Sequence, residues 1–271
     1  MTLLKKLIPE TRFLQIVVLA LIGLAVALPA WAQRPAKSIQ LDDEVTGVAI
    51  DRPGDLYASL RNGKMFRVDA DGNILQLPTI KGTPTLFDPR DGSRLFAYYR
   101  EEQRYGYLSS SRELSSFQVD SAFAINPWLV CPSGDYNVWI ADAADNVIRK
   151  VNSATSRIDA EIRFTSGVSD IIYMREYQGF LFVLHPSRGI VIFSGMGKEL
   201  RTIGSGSIRY FNFLGEELYF PEGPEQLTFF NLFNAESRSL KLARQAPFSL
   251  LTDTRLFSIN KNTVEIFQSP R

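Results

Sequence analysis

Apolar and polar residues alternate after Gln33, an apolar-aromatic pair recurs six times, and the last repeat is one strand short. These three observations predict an all-β fold: a six-bladed β-propeller of four-stranded antiparallel blades. The missing strand is supplied from the front of the chain, so the predicted ring closes by pairing Lys37–Leu41 with Thr263–Gln268.

Ahead of the ring stands a leader. Lys5, Lys6 and Arg12 form a positive head, Phe13 to Leu28 is apolar apart from Gln15, and Pro29-Ala30-Trp31-Ala32 carries small residues at the two positions of an A-x-A cleavage signal. The pattern predicts a signal peptide over 1–32, cleaved after Ala32, and an exported protein, periplasmic or extracellular. The alternative is an uncleaved signal anchor, since the apolar run approaches the roughly 17 residues that can span a bilayer. No later run is long enough to cross a membrane, so no integral membrane segment is expected in the mature chain.

The remaining chain, 33–271, is expected to be a single domain. The full chain has a formal net charge of +1, and subtracting the +2 of the leader leaves about −1. A nearly neutral surface of mixed sign gives no electrostatic reason to expect nucleic acid. Cys131 is the one cysteine, so no intramolecular disulfide can form, and its place in Trp128-Leu-Val-Cys131 predicts a buried, inert thiol.

The clearest repeat is GVAIDRPGDLYASLRNGKMFRVDADGNILQL, Gly47 to Leu77. It divides into strands 45–50, 55–59, 64–68 and 73–77, joined by Arg52-Pro53-Gly54, Arg61-Asn62-Gly63 and Asp69-Ala70-Asp71-Gly72. Each joint has turn chemistry: Pro presets φ, and Gly or Asn accepts positive φ. The same grammar returns in Trp128 to Phe164. Weaker copies align on the second-strand pairs Leu56-Tyr57, Leu95-Phe96, Val138-Trp139, Leu181-Phe182, Leu218-Tyr219 and Leu256-Phe257, about 39, 43, 43, 37 and 38 residues apart. Fourth strands number five, at 74–77, 116–119, 160–164, 199–203 and 239–242. The sixth repeat runs through 248–252, 255–260 and 263–268 and then stops, and Lys37–Leu41, patterned like Asn73–Leu77, is the strand it lacks.

Gly47 to Leu75 and Gly134 to Val151 resemble NHL and related YWTD-like six-bladed propellers, whose repeats carry a first strand of the type G-I-A-V-D, then G-x-L-Y-V-A-D and a charged third strand. The match is good in two repeats, partial in Leu181 to Phe193 and poor in the other three. That superfamily hosts lyases, lactonases, receptors and plain scaffolds, so the resemblance implies a fold and leaves function open.

By analogy with such folds, ligands meet the loops between second and third strands or the central channel. The loops supply Arg61, Arg100, Asp142, His185, Glu222 and Lys261, a polar ring that could bind a partner or simply be solvated. The related metal-dependent enzymes imply a divalent ion in the channel, and Asp88, Asn126, Asp170, Asn212 and Asp253 sit at inner-strand positions with oxygens suited to Ca²⁺ or Mg²⁺. Each is also near a strand end, where Asp and Asn form turns.

His185 is the one histidine, which excludes a His-rich zinc site; a Ser-His-Asp arrangement would need Ser187 or a distant Ser plus an acid, and no G-x-S-x-G motif is present. Gly195, Gly197, Gly204 and Gly206 lie between strands with no following helix, which argues against a phosphate cradle. Aromatics crowd the fifth repeat, and Leu227 to Phe233 places apolar residues on both faces of one strand, either as interblade core or as a partner patch.

These features predict a non-catalytic binding or scaffold propeller, monomeric on its own and without a cofactor, that presents loops to a protein or cell-envelope component. A metal-dependent hydrolase or lyase is the second reading and a sugar or peptide sensor the third.

Overall fold

A computed structural model describes residues 34–78, 82–134, 137–204, 207–223, 225–242 and 244–269. The leader, with its proposed cleavage point, and Gly206 lie outside the described residues. Among them no helix is long and apolar enough to cross a membrane. The chain divides into Met1–Arg34 and Pro35–Arg271, and the fold is that of the second unit.

β1 (Lys37–Gln40) is followed by five complete blades in chain order. Blade one holds β2 (Val45–Ile50), β3 (Leu56–Leu60), β4 (Met65–Val68) and β5 (Ile74–Gln76). Blade two holds β6 (Leu86–Asp88), β7 (Leu95–Tyr99), β8 (Arg104–Leu108) and β9 (Glu113–Gln118). Blade three holds β10 (Pro127–Pro132), β11 (Asn137–Asp142), β12 (Val147–Asn152) and β13 (Arg157–Arg163). Blade four holds β14 (Tyr173–Tyr177), β15 (Phe180–His185), β16 (Gly189–Ser194) and β17 (Glu199–Ile203). Blade five holds β18 (Asn212–Leu214), β19 (Glu217–Pro221), β20 (Gln226–Asn231) and β21 (Ser237–Lys241). Blade six is β22 (Phe248–Leu251), β23 (Arg255–Asn260), β24 (Thr263–Gln268) and then β1, so the predicted six-bladed ring and its closing pair are both present. The register sets Lys37 opposite Ile266, Ile39 opposite Val264 and Gln40 opposite Thr263. The backbone N–H of Leu41 extends the ladder to the carbonyl of Asn262 at 2.8 Å.

All six apolar-aromatic pairs fall in second strands. Their role is to fill the wedges between blades, because a four-stranded sheet this small cannot bury both faces by itself. Buried clusters bridge every adjacent pair. Ile39, Val45, Leu56 and Phe257 join blades six and one; Tyr57 and Leu95 join one and two. A large cluster around Phe96, Trp139, Phe164 and Phe193 spans blades two to four. Phe182 and Phe211 join four and five, and Tyr219 and Leu251 join five and six. The blades therefore pack on one another at six interfaces, and the seam completed by β1 between blades six and one is one of them. The aromatics of blade five follow the same rule: Leu227, Phe229 and Phe230 are buried on β20, which ends at Asn231, while Phe233 lies exposed in the turn beyond it.

β2, β17, β23 and β24 have the predicted bounds, and other strand ends differ from the sequence reading by one to three residues, most in β9 and β13, which start earlier than predicted. These outer strands face solvent, and their apolar alternation is weak, so local pattern marks their ends poorly. The first joint behaves as expected: Gly54 has φ of 94°, and the Asp51 carboxylate accepts from the N–H groups of Gly54 and Asp55. Cys131 is fully buried on β10, where burial pushes its thiol well up.

Candidate functional site

The inner strands β2, β6, β10, β14, β18 and β22 surround the channel. One mouth, termed upper, lies at their N-terminal ends beside the blade-to-blade connections and the loops between second and third strands. The lower mouth lies at the loops between first and second strands.

A buried ionic knot separates the two. Arg175 on β14 donates from Nη1 to Asn212 Oδ1 at 2.8 Å, and its Nη2 lies 3.5 Å from Asp88 Oδ1. Arg90, just past β6, donates from Nη2 to Asp88 Oδ2 at 2.8 Å and from its backbone N–H to Asp88 Oδ1 at 2.9 Å. Blades two, four and five thus each contribute a side chain to the centre. Burial by itself would raise the Asp88 pKa, but the adjacent Arg175 and Arg90 cations hold it below the ordinary 3.8.

This arrangement bears on the divalent-ion reading, which needs free oxygens converging on one point. Of the five proposed ligands, only Asp88 and Asn212 come together, and both are committed to arginine. Asn126 and Asp170 are exposed on blade connections at the upper face, and Asp253 is exposed at the lower mouth. Among the described residues no group of three or more His, Cys, Asp or Glu side chains could hold a metal. The residues present do not fit a channel ion, because arginine supplies the positive charge that an ion would supply.

The upper mouth opens on a cavity of about 260 Å³. Phe87, Tyr173, Tyr210 and Phe248 stand half-buried around it, with exposed Ile172 and Arg209 at the rim, Thr83 and Thr85 beside them, and Arg175 with Asn212 at its floor. No carboxylate, histidine or cysteine is among its described lining residues. The rings are held in place: Tyr210 Oη donates to the Ser249 carbonyl at 3.0 Å and accepts from the Ser249 N–H at 2.6 Å, and Tyr173 meets Phe211 edge-on.

The six loop residues do not form one ring of free polar groups. Asp142 is buried and accepts from the N–H groups of Ile125, Asn126 and Ala144, tying the blade connection to the loop of blade three. His185 is buried too. Its Nε2 lies 2.9 Å from the Ser166 carbonyl and must donate there, so Nδ1 accepts from the N–H and hydroxyl of Ser187. Its orienting group is a backbone carbonyl, not the acid a triad requires. Arg100 stacks 3.5 Å over the Trp128 ring and donates from Nε to the Trp128 carbonyl. Arg61 pairs with Glu44. Glu222 is exposed and accepts from Thr228 Oγ1, and Lys261 is exposed at φ of 53°.

Two buried charged side chains escaped sequence reasoning, Arg175 and Glu176, adjacent in the otherwise mostly apolar β14. Being consecutive, they point to opposite faces. Glu176 turns toward blade three, where it accepts from Trp139 Nε1 at 2.6 Å, Ser133 Oγ at 2.5 Å and the Gly134 N–H at 3.0 Å, with Lys150 Nζ at 3.6 Å. Burial would raise its pKa, but these donors and Lys150 bring it below the ordinary 4.5. Glu176→Ala leaves the donors orphaned and is expected to cost on the order of 3 kcal/mol in urea unfolding, while Trp139→Phe, which loses one donor and leaves a void in the buried cluster, costs about 2 kcal/mol. The stability from Glu176 is present above pH 4.5 and declines as pH falls through the lower folded value, a loss that Glu176→Gln should flatten.

The class defined by this architecture is the six-bladed β-propeller. Compared with protein-family models, the chain matches none. No curated protein matches its sequence. Solved structures do match its fold. The β-propeller domain of Cps50 (Swd1) from Myceliophteria thermophila aligns over 88% of this chain and 99% of its own, with TM-score 0.61 and 11% identity. A catalytically inactive virginiamycin B lyase from Staphylococcus aureus, crystallised with quinupristin, aligns over 83% and 80%, with TM-score 0.52 and 13% identity. A chain of the Mitotic Checkpoint Complex aligns over 89% and 82%, with TM-score 0.55 and 10% identity. At these identities the likeness is one of fold.

Proposed function

We propose that the protein is an exported, non-catalytic binding propeller that presents its upper mouth to a protein or cell-envelope partner. One observation carries the reading: the upper cavity is walled by anchored aromatic rings with an arginine at the rim, and among its described lining residues there is no carboxylate, histidine or cysteine to act as acid, base or nucleophile. Rigid aromatics and arginine are the residues that contribute most to protein contacts. The basic head and apolar run of residues 5–28 support export, and the likeness of Gly47 to Leu75 to NHL repeats is consistent with a scaffold.

The test is affinity capture from the native envelope. Ile172→Asp and Arg209→Glu change rim residues that are already exposed, so both proteins should keep their unfolding midpoint while capturing at least about tenfold less partner. Unchanged capture by both variants would remove the upper mouth from the reading.

A further inference from the structure

We propose that the lower mouth is a binding site for a small molecule bearing a carboxylate, held between the guanidiniums of Arg90 and Arg175. This site opens at the opposite end of the channel, shares only Arg175 and Asn212 with the upper mouth, and does not depend on the partner reading. It is a cavity of about 240 Å³, below the roughly 300–1,000 Å³ of drug-sized sites, and both arginines border it. Arg175 is only 5% exposed.

The observation that points to a ligand is a shortage of acceptors. Among the described residues, three buried side-chain polar atoms lack a hydrogen-bond partner, and two are Arg90 Nε and Arg175 Nε. Both guanidiniums also share a single buried carboxylate, Asp88, which leaves one positive charge of the knot uncompensated. Leaving a buried N–H unpaired is costly, and leaving a buried charge unpaired is costlier. One carboxylate entering from the lower mouth answers both, because its two oxygens can accept from the two forks and its charge balances the knot.

The rest of the wall narrows the anion. Asp51 and Asp253 also border the cavity. The Asp51 oxygens are engaged by the N–H groups of Gly54 and Asp55 and by the Tyr57 hydroxyl, so it does not satisfy the arginines. The two acids nevertheless repel a doubly charged phosphate more than a singly charged carboxylate.

The experiment titrates the full chain with sodium lactate, sodium acetate and inorganic phosphate, by calorimetry and by thermal unfolding against sodium chloride of equal ionic strength. Lactate or acetate should bind saturably and raise the unfolding temperature beyond the chloride control. Arg90→Gln should weaken that binding at least about tenfold, the loss expected for a charge-assisted hydrogen bond. Arg175→Lys keeps a cation beside Asp88 but lacks the fork, and should weaken it similarly. If the Arg175 variant does not fold, the wild-type and Arg90 titrations decide. Absent saturable binding of either acid, unchanged binding by Arg90→Gln, or phosphate binding as tightly as lactate would each overturn the assignment.

Discussion

A chain lacking Lys37–Leu41 should lose the ring: it is expected to unfold at far lower urea than the intact chain, or to aggregate. Two costs combine. Ile39 and Leu41 are both about nineteen-twentieths buried, at 5% and 4% exposure, and Ile39 belongs to the cluster that joins blades six and one. Truncating one such side chain costs about 2–5 kcal/mol, so Ile39→Ala alone should show a loss of that size. Deletion removes both and also strips β24 of its partner, exposing a raw edge of six residues. Against a total stability of about 5–15 kcal/mol, the sum is large enough to be decisive. Chemical denaturation and light scattering measure it. A deletion variant that stays monomeric and as stable as the parent would show that the ring does not need its closing strand.

Asp88→Asn should be the most damaging single polar substitution in the channel. It keeps the shape of the side chain but leaves Arg90 and Arg175 without their shared countercharge, and breaking a buried pair in this way costs about 3–5 kcal/mol. A double-mutant cycle separates the electrostatic part: adding Arg175→Met to Asp88→Asn should cost less than Arg175→Met does in the parent, because one unpaired cation has been removed. The pH dependence has a definite sign. The folded pKa of Asp88 lies below the ordinary 3.8, so its contribution is complete above that value and is lost as pH falls through the folded one. The Asp88→Asn variant should lack that part of the acid transition, and a loss under about 1 kcal/mol at neutral pH would show that the knot is not coupled.

The repeats were legible because turn chemistry and period-two alternation are local. Arg52-Pro53-Gly54 forms a turn whatever surrounds it, and Leu56-Tyr57 marks a second strand by composition alone. Closure was legible for another reason: counting outer strands leaves one place for Lys37–Leu41. The loop ring was less so. Asp142 and His185 stand at strand ends where chain position suggests exposure, yet both fold back to hold loop backbone. Nothing in the local sequence distinguishes a polar side chain that points out from one that caps an N–H in a neighbouring connection. The channel knot was hidden more deeply. Asp88, Arg175 and Asn212 come from blades two, four and five and meet only when the ring is shut. The one available signal was the pair Arg175-Glu176 inside a short, mostly apolar inner strand, where two adjacent charges demand two buried partners on opposite faces.

By itself, then, the sequence determined the number of blades, their strand order and the strand that completes the last one, because each follows from residues within about 40 positions of one another or from a count along the chain. The closed ring decided what occupies the centre and what lines each mouth. Those contacts join residues far apart in sequence, and whether an aspartate holds an ion, an arginine or a loop depends on the charges that distant blades bring to it.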